Sequence, residues 1–303
     1  MNRLLPLLVS AIAFGAPLAL VRAQDAKNAP RPSARLVTFD DLERRRGDPA
    51  LRLLDARPRA EYDRGHIPGA VWVDTQAAEA LAARPGGLTD RDAWQAWLAP
   101  LGIGPDAEVL IYDAKRQLDA ARLWWLLTYL GVEKVGLIDG GFPLWQRQSR
   151  PESKDVPEVP TQAFPVAFRA ERHATREDVL EALRRGGIPI LDARSPAEHT
   201  GNDLRSRRGG HIPTACSLEW SGLVDPDGRF LDEDALRARL EALGVRPGAP
   251  VIAHCQGGGR ASVDTFVLER LGHPARNYYL GWSDWGNVAE TPIETETPDG
   301  GTR

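Results

Sequence analysis

The chain has 303 residues, about twice the length of a typical domain, so we expect two domains. Hydrophobic residues make up 42% and charged residues 26%, which is ordinary for a folded protein and excludes wholesale disorder. With 38 Lys and Arg against 42 Asp and Glu, the formal net charge is -4, so no overall basic excess is available for binding nucleic acid. Two cysteines are too few for a disulfide-stapled scaffold or a four-thiolate metal site.

The first residues have the features of a secretory signal peptide, which we predict at 1–23. Arg3 supplies the basic end, an apolar run containing Pro6 and Pro17 follows, and small residues up to Ala23 form a cleavage site. A retained membrane anchor is the alternative, since about 18 apolar residues could just span a bilayer. The two prolines favour removal. We therefore expect a periplasmic or secreted chain without stable membrane insertion.

The rest of the chain alternates apolar strands with helices, and the series occurs twice. Each series opens on a helix start signal, Thr38 with Asp41 and then Thr175 with Asp178. The elements predicted next are strands at about 51–55 and 108–112 with helices at 90–101 and 119–130, and then strands at 188–192 and 250–254 with helices at 232–243 and 261–271. Short apolar strands alternating with helices favour parallel sheets covered on both faces.

Matching segments indicate that the two series are copies of one domain. They occur in the same order: Leu-Asp-Ala-Arg at 54–57 and 191–194, Gly-His-Ile-Pro at 65–68 and 210–213, and apolar runs that end at Asp113 and Cys255. The second copy carries a basic insertion at 201–208. A duplication explains so many ordered matches better than chance. The predicted fold class is therefore α/β, with two related domains that each hold a parallel sheet flanked by helices.

Composition places the boundaries of these domains. We predict an N-terminal domain without a catalytic cysteine at 33–148 and a C-terminal catalytic domain at 167–289. We predict a linker at 149–166, whose proline-rich, charged part at 149–162 is exposed, and a surface tail at 290–303. The tryptophan pairs are interpreted as core and interdomain packing rather than a ligand box.

The copies differ most in the loop that follows the strand ending at 254. There Cys255 precedes Gln256, Gly257, Gly258, Gly259 and Arg260, and a predicted helix begins. Ligands bind beyond the carboxyl ends of parallel strands, and consecutive glycines let backbone N–H groups converge on an anion. The helix N-terminus and Arg260 add positive charge. The pattern predicts a stabilised thiolate at Cys255 acting as a nucleophile; the alternative is an inert buried cysteine beside a flexible turn.

The size of this loop bears on the substrate. Four residues separate Cys255 from Arg260, whereas tyrosine-type phosphatases place five residues between the corresponding Cys and Arg. The smaller ring fits a single sulfur atom attached to the cysteine better than a phosphate. Sulfur transfer is therefore favoured over phosphatase or arsenate reductase chemistry.

With these motifs the chain resembles the tandem-domain rhodanese family of thiosulfate sulfurtransferases over about 36–288. The resemblance rests on Tyr62 to Ala70, Asp192 to Ser195, Cys255 to Arg260, and Tyr279 to Trp285. The last motif lacks one small residue that the family usually has between Gly and Trp. A first domain with Asp113 in place of the cysteine also fits the family.

The resemblance implies a double displacement through a Cys255 persulfide. Thiosulfate would donate the sulfur, and cyanide, a thiol or a dithiol would accept it. Arg194 would pair with the donor's anionic group, with a structural ion pair to Asp192 or Glu198 as the alternative. Arg260 would orient the loop and raise the local positive potential, with a solvated first-turn arginine as the alternative. Gln256 would donate a hydrogen bond to the donor or, alternatively, only face solvent. No cofactor, metal or nucleic-acid partner is expected.

The residues after the cysteine favour thiosulfate over 3-mercaptopyruvate. In the mercaptopyruvate subgroup a hydroxyl residue stands at the position of Gly257, and a second arginine at the position of Thr200. Both are absent here. A 3-mercaptopyruvate sulfurtransferase and a sulfur-relay module without multiple turnovers stay open as alternatives.

Overall fold

The computed structural model describes residues 34–295. Its strands are β1 (Arg35–Val37), β2 (Leu51–Asp55), β3 (Val71–Trp72), β4 (Glu108–Tyr112), β5 (Lys134–Ile138), β6 (Ile190–Asp192), β7 (Cys216–Ser217), β8 (Val251–His254) and β9 (Ala275–Tyr278). Its α-helices are α1 (Phe39–Arg44), α2 (Arg59–Tyr62), α3 (Thr75–Ala83), α4 (Arg91–Leu98), α5 (Leu118–Tyr129), α6 (Gly141–Arg147), α7 (Arg176–Arg185), α8 (Pro196–Thr200), α9 (Glu233–Ala242), α10 (Gly259–Arg270) and α11 (Gly281–Trp285). Short 3₁₀ turns occur at Gly87–Thr89, Ala99–Leu101, Ala170–Arg172 and Trp220–Leu223.

The strands form two parallel sheets, one in each half of the chain. The first has the order β1-β5-β4-β2-β3 and the second the order β7-β6-β8-β9. In each sheet the strand that precedes the predicted site loop, β4 or β8, lies in the interior and pairs on both sides. The predicted duplicated α/β fold is confirmed. The edge strand β1 was not predicted, and neither were β5 and β9.

Local signals account for the helix starts. The Thr38 hydroxyl accepts a hydrogen bond from the Asp41 N–H at the start of α1. At α7 the Thr175 hydroxyl accepts from the Asp178 N–H while the Asp178 carboxylate accepts from the Thr175 N–H. These caps satisfy backbone donors that the first turn of a helix leaves unpaired, so both predicted starts are confirmed.

The two halves share one hydrophobic core, which forms where α5 packs against α10. Trp124 meets Phe266 edge to face, with ring centroids 5.0 Å apart. Trp125 stacks on Tyr279 with centroids 4.9 Å apart. Both tryptophans are buried, so the predicted packing role of this pair is confirmed. The contact places α5 of the first half beside the site loop of the second.

The connecting segment supplies side chains to the core, and the tail lies closer to the core than predicted. Residues 149–166 hold no helix or strand, yet Phe164 and Val166 are buried, whereas Val156 is exposed. At the other end Thr291 is buried, and Glu294 pairs with His211 through two backbone hydrogen bonds.

The predicted signal peptide at 1–23 and the tail residues 296–303 lie outside the described residues. Within 34–295, no helix is both long and apolar enough to cross a membrane.

Candidate active site

Cys255 stands at the carboxyl end of β8, at the start of a loop, 255–258, that leads into α10. Its side chain is almost fully buried. Its carbonyl oxygen accepts a hydrogen bond from the Trp282 N–H at 2.7 Å. This close approach requires Gly281, which has φ +51 and whose Cβ, if present, would overlap the Cys255 carbonyl. The loop is therefore fixed against the start of α11.

The three glycines of the loop have different surroundings. Gly258 has φ +78, and a Cβ there would overlap the Tyr279 ring. A Cβ on Gly259 would overlap the Arg122 guanidinium, whereas nothing lies within 4 Å of a Cβ on Gly257. Backbone conformation and packing thus demand the second glycine. The third leaves room for the Arg122 guanidinium, and neither backbone conformation nor packing constrains the first.

The first half shows what this kind of loop does with an anion. Asp113 follows β4 as Cys255 follows β8, and its carboxylate accepts four backbone hydrogen bonds. These come from the N–H groups of Lys115, Gln117, Asp119 and Ala120 at 3.2, 3.0, 2.8 and 3.1 Å. Burial raises the pKa of Asp113 to about 6, although these bonds oppose the rise. The strand-to-helix turn of this fold is therefore an anion cradle, which the first half fills with its own carboxylate.

Arg260 lies in the first turn of α10 and forms an ion pair with Glu198. Its Nη2 donates to Glu198 Oε1 at 2.8 Å. Burial alone would raise the pKa of Glu198, but the hydrogen bonds from Arg260 and Ser195 lower it to about 2, so the carboxylate is charged. The pair joins the start of α10 to α8, in keeping with the predicted orienting role of Arg260. Its charge is largely neutralised by Glu198.

Arg194, the residue that the resemblance assigns to the donor, forms a buried ion pair. It is 1% exposed, its Nη2 donates to Asp192 Oδ2 at 2.6 Å and to the Gly210 carbonyl at 2.8 Å, and it does not line the cavity that holds Cys255. The first half repeats the arrangement with Arg57 and Asp55, although that half has no thiol. In this conformation Arg194 reaches no donor in the cavity, and the alternative of a structural ion pair describes it.

Cys255 lines a cavity of about 500 Å³ between the two halves. The lining includes the loop residues Gln256, Gly257, Gly259 and Arg260, residues of the first half (Glu79, Ala83, Leu118, Arg122), and Arg205, Tyr279, Leu280 and Ser283. The contribution of the first half was not predicted. One signal was present, because Arg122 is the single cation of a helix that is mostly apolar.

The basic insertion at 201–208 contacts both the loop and the tail. Gln256 Nε2 donates to the Arg205 carbonyl and to Ser206 Oγ, each at 3.2 Å, so the amide is bound to protein rather than free for a donor. The Arg205 side chain is 53% exposed at the rim of the cavity. Arg208 instead donates to the Trp285 carbonyl at 2.9 Å.

The remaining chemical groups lie away from the cavity. His254 is fully buried, and burial lowers its pKa to about 4, so the ring is neutral near pH 7. Its Nε2 is 3.8 Å from Asp192 Oδ2. Cys216 lies on β7 and, like Cys255, is a free thiol. Among residues 34–295 no cluster of His, Cys, Asp and Glu could hold a metal ion.

Known proteins resemble this chain over most of its length. The rhodanese-like domain family matches residues 38–148 and 175–287. A thiosulfate sulfurtransferase of Azotobacter vinelandii is 34% identical over 258 residues, which cover 84% of this chain and 94% of the relative. The sulfur carrier protein TtuD of Thermus thermophilus is 33% identical over 273 residues, covering 85% of this chain and 95% of the relative.

A solved structure extends the likeness to three dimensions. The crystal structure of SseA from Escherichia coli, a 3-mercaptopyruvate sulfotransferase by its description, has a TM-score of 0.72 and 31% identity, and the match covers 83% of this chain and all 100% of SseA. The chain thus contains two domains that match this family, and each half has a parallel sheet. The chain belongs to the tandem-domain rhodanese family.

Proposed function

We propose that this chain is a thiosulfate sulfurtransferase that carries sulfane sulfur as a persulfide on Cys255. The observation that carries the proposal is the position of this thiol at the end of β8, in a cavity and in front of the N-terminus of α10. The corresponding turn of the first half holds a carboxylate through four backbone N–H groups. The same turn in the second half suits a thiolate or a terminal persulfide sulfur.

The reaction proceeds in two displacements. The Cys255 thiolate attacks the outer sulfur of thiosulfate, a bond forms between the two sulfurs, and the S–S bond of thiosulfate breaks. Sulfite leaves with the bonding electron pair, and a persulfide anion remains on the cysteine. Cyanide or a thiol then attacks the outer sulfur, and the Cys255 thiolate is the leaving group, so no net oxidation of the protein occurs.

The choice of donor rests on Gly257. This position offers open space and no hydroxyl, whereas the mercaptopyruvate subgroup has a hydroxyl residue there. That difference supports thiosulfate. The relatives bear names for both activities, so 3-mercaptopyruvate is the second candidate donor.

A sulfur relay is the alternative that the relatives also suggest. The Thermus thermophilus protein is named a sulfur carrier, and the nearly complete burial of Cys255 suits a persulfide protected from solvent. A relay module would accept one sulfur without fast multiple turnovers. Export to the periplasm or beyond, predicted from residues 1–23, stays part of the proposal.

The test compares a substitution of Cys255 with the matched substitution of Cys216. We expect wild-type protein exposed to thiosulfate to gain one sulfur on the Cys255 peptide in mass spectrometry, and to form thiocyanate over many turnovers when cyanide is added. Cys255→Ser abolishes both, while Cys216→Ser retains both, because Cys216 is outside the cavity. Loading by 3-mercaptopyruvate but not thiosulfate would reverse the choice of donor. Substantial activity in Cys255→Ser would end the proposal.

A further inference from the structure

Arg122 belongs to the first half, but its guanidinium lies over the catalytic loop of the second. It projects from α5, and its Nη1 donates to the Gly257 carbonyl at 3.3 Å. The same nitrogen is 3.0 Å from Glu79 Oε1 and 3.5 Å from the Tyr279 hydroxyl. The side chain is only 10% exposed and lines the cavity with Cys255.

The loop is shaped around this guanidinium. A Cβ on Gly259 would stand 2.7 Å from Arg122 Cζ and 2.9 Å from its Nε, which is closer than real contacts allow. Gly259 does not have a positive φ, so its backbone conformation does not require glycine. A Cβ at this position would force the Arg122 guanidinium to shift from its present place over the loop.

The charge of Arg122 is less neutralised than that of Arg260, which lines the same cavity, or of the buried Arg194. Arg260 faces Glu198, which is 2% exposed, and Arg194 faces Asp192, which is 0% exposed. The carboxylate beside Arg122 belongs to Glu79 and is 53% exposed, so water screens much of its field. Arg122 Nε is buried and has no acceptor among the residues that the structure describes. A buried donor of this kind calls for an acceptor.

We propose that Arg122 binds the anionic oxygens of the sulfur donor, so that the first half supplies the donor-binding cation of the second. The inference rests on the proposed function, because it assumes an anionic donor that reacts at Cys255. A guanidinium offers paired N–H groups that match sulfonate or carboxylate oxygens. In the same position it stabilises the charge that stays on sulfite when the S–S bond breaks.

The experiment separates loading of the cysteine from its discharge. In single-turnover assays we expect Arg122→Gln to slow loading by thiosulfate about 10- to 100-fold, the loss typical of a charge-assisted hydrogen bond. The KM for thiosulfate and the inhibition constant for sulfite should rise together. Discharge of the preloaded persulfide by a neutral dithiol should change less than about 3-fold, because no donor anion takes part in that step.

Two further variants complete the experiment, one conservative change at Arg122 and one control at the rim of the cavity. Arg122→Lys retains the charge without the paired donors, so its loss should be intermediate and confined to loading, and it serves if Arg122→Gln does not fold. Arg205→Gln removes a cation from the exposed rim, so we expect a smaller effect that salt abolishes.

The outcomes distinguish a failure of the proposed function from a failure of the inference about Arg122. If wild-type protein takes no sulfur from thiosulfate or 3-mercaptopyruvate, the proposed function fails whatever Arg122 does. If wild-type protein loads and the Arg122 variants load at the same rate, the inference is overturned. Equal slowing of loading and discharge would mean that Arg122 only supports the loop, and would also overturn it.

Discussion

The ion pair between Glu198 and Arg260 joins α8 to the start of the helix behind Cys255, and the cost of removing its carboxylate can be worked out. The pKa of Glu198 lies at about 2 instead of the ordinary 4.5. That difference corresponds to about 3 kcal/mol of stability at neutral pH. Glu198→Gln, which keeps the shape of the side chain, should therefore lower the free energy of unfolding by about 3 kcal/mol at pH 7.

The lowered pKa of Glu198 also predicts how the free energy of unfolding changes with pH. Because the pKa is lowered in the folded state, the contribution of Glu198 is complete above pH 4.5 and is lost as the pH falls toward 2. Urea denaturation of wild type and Glu198→Gln should show a difference that is constant from pH 6 to 8 and shrinks below about pH 4.5.

A matched control exists on the surface. Arg59 and Asp63 form an exposed ion pair at 2.8 Å, with side chains 54% and 50% exposed, so Asp63→Asn should cost less than about 0.5 kcal/mol. A Glu198→Gln protein as stable as Asp63→Asn at pH 7, or a difference independent of pH, would refute the reasoning.

Two other predictions concern the turns that follow β8 and β4. Gly258→Ala should destabilise the protein by at least about 1–2 kcal/mol and stop sulfur loading, because an L residue is strained at φ +78 and its Cβ meets Tyr279. Gly257→Ala, with open space around its Cβ, should stay within about 0.5 kcal/mol of wild type in urea denaturation. In the first half, the raised pKa of Asp113, about 6 against an ordinary 3.8, makes its contribution greatest at low pH and lost as the pH rises through 6. Asp113→Asn lacks this dependence, so its stability relative to wild type should improve by up to about 3 kcal/mol between pH 4 and 7.

Clear results would contradict these expectations. Equal stability of the Gly258 and Gly257 variants would mean that the loop can adopt another path. A stability difference between wild type and Asp113→Asn that stays constant from pH 4 to 7 would mean that the carboxyl group titrates normally.

The sequence was a good guide wherever a local pattern decides the structure. The strands at 51–55 and 108–112 match β2 and β4, because buried parallel strands are short, continuous apolar runs. The helix starts at Thr38 and Thr175 followed from capping chemistry. The loop beginning at Cys255 was found because its composition differs from the otherwise matching first copy.

Contacts between residues that are far apart in the sequence could not be predicted from such local patterns. An Asp-x-Arg motif can form a buried ion pair or present a free arginine side chain, and the motif itself does not show which. Arg194 was therefore expected to bind the sulfur donor. The repeat of the motif at Arg57, in a half without a thiol, was the available warning. Arg122 reaches the loop only because α5 packs against α10, a contact that no local pattern encodes.

The shared core between α5 and α10 also constrains how such a chain can change over generations. A gene duplicate that has lost its nucleophile would ordinarily be free to drift or to be deleted. Here a deletion would remove Trp124 and Trp125, uncover Phe266 and Tyr279, which pack against them, and remove one wall of the only reactive centre we assign. Selection acting on the active copy must therefore preserve the silent one, and the two can only evolve as partners.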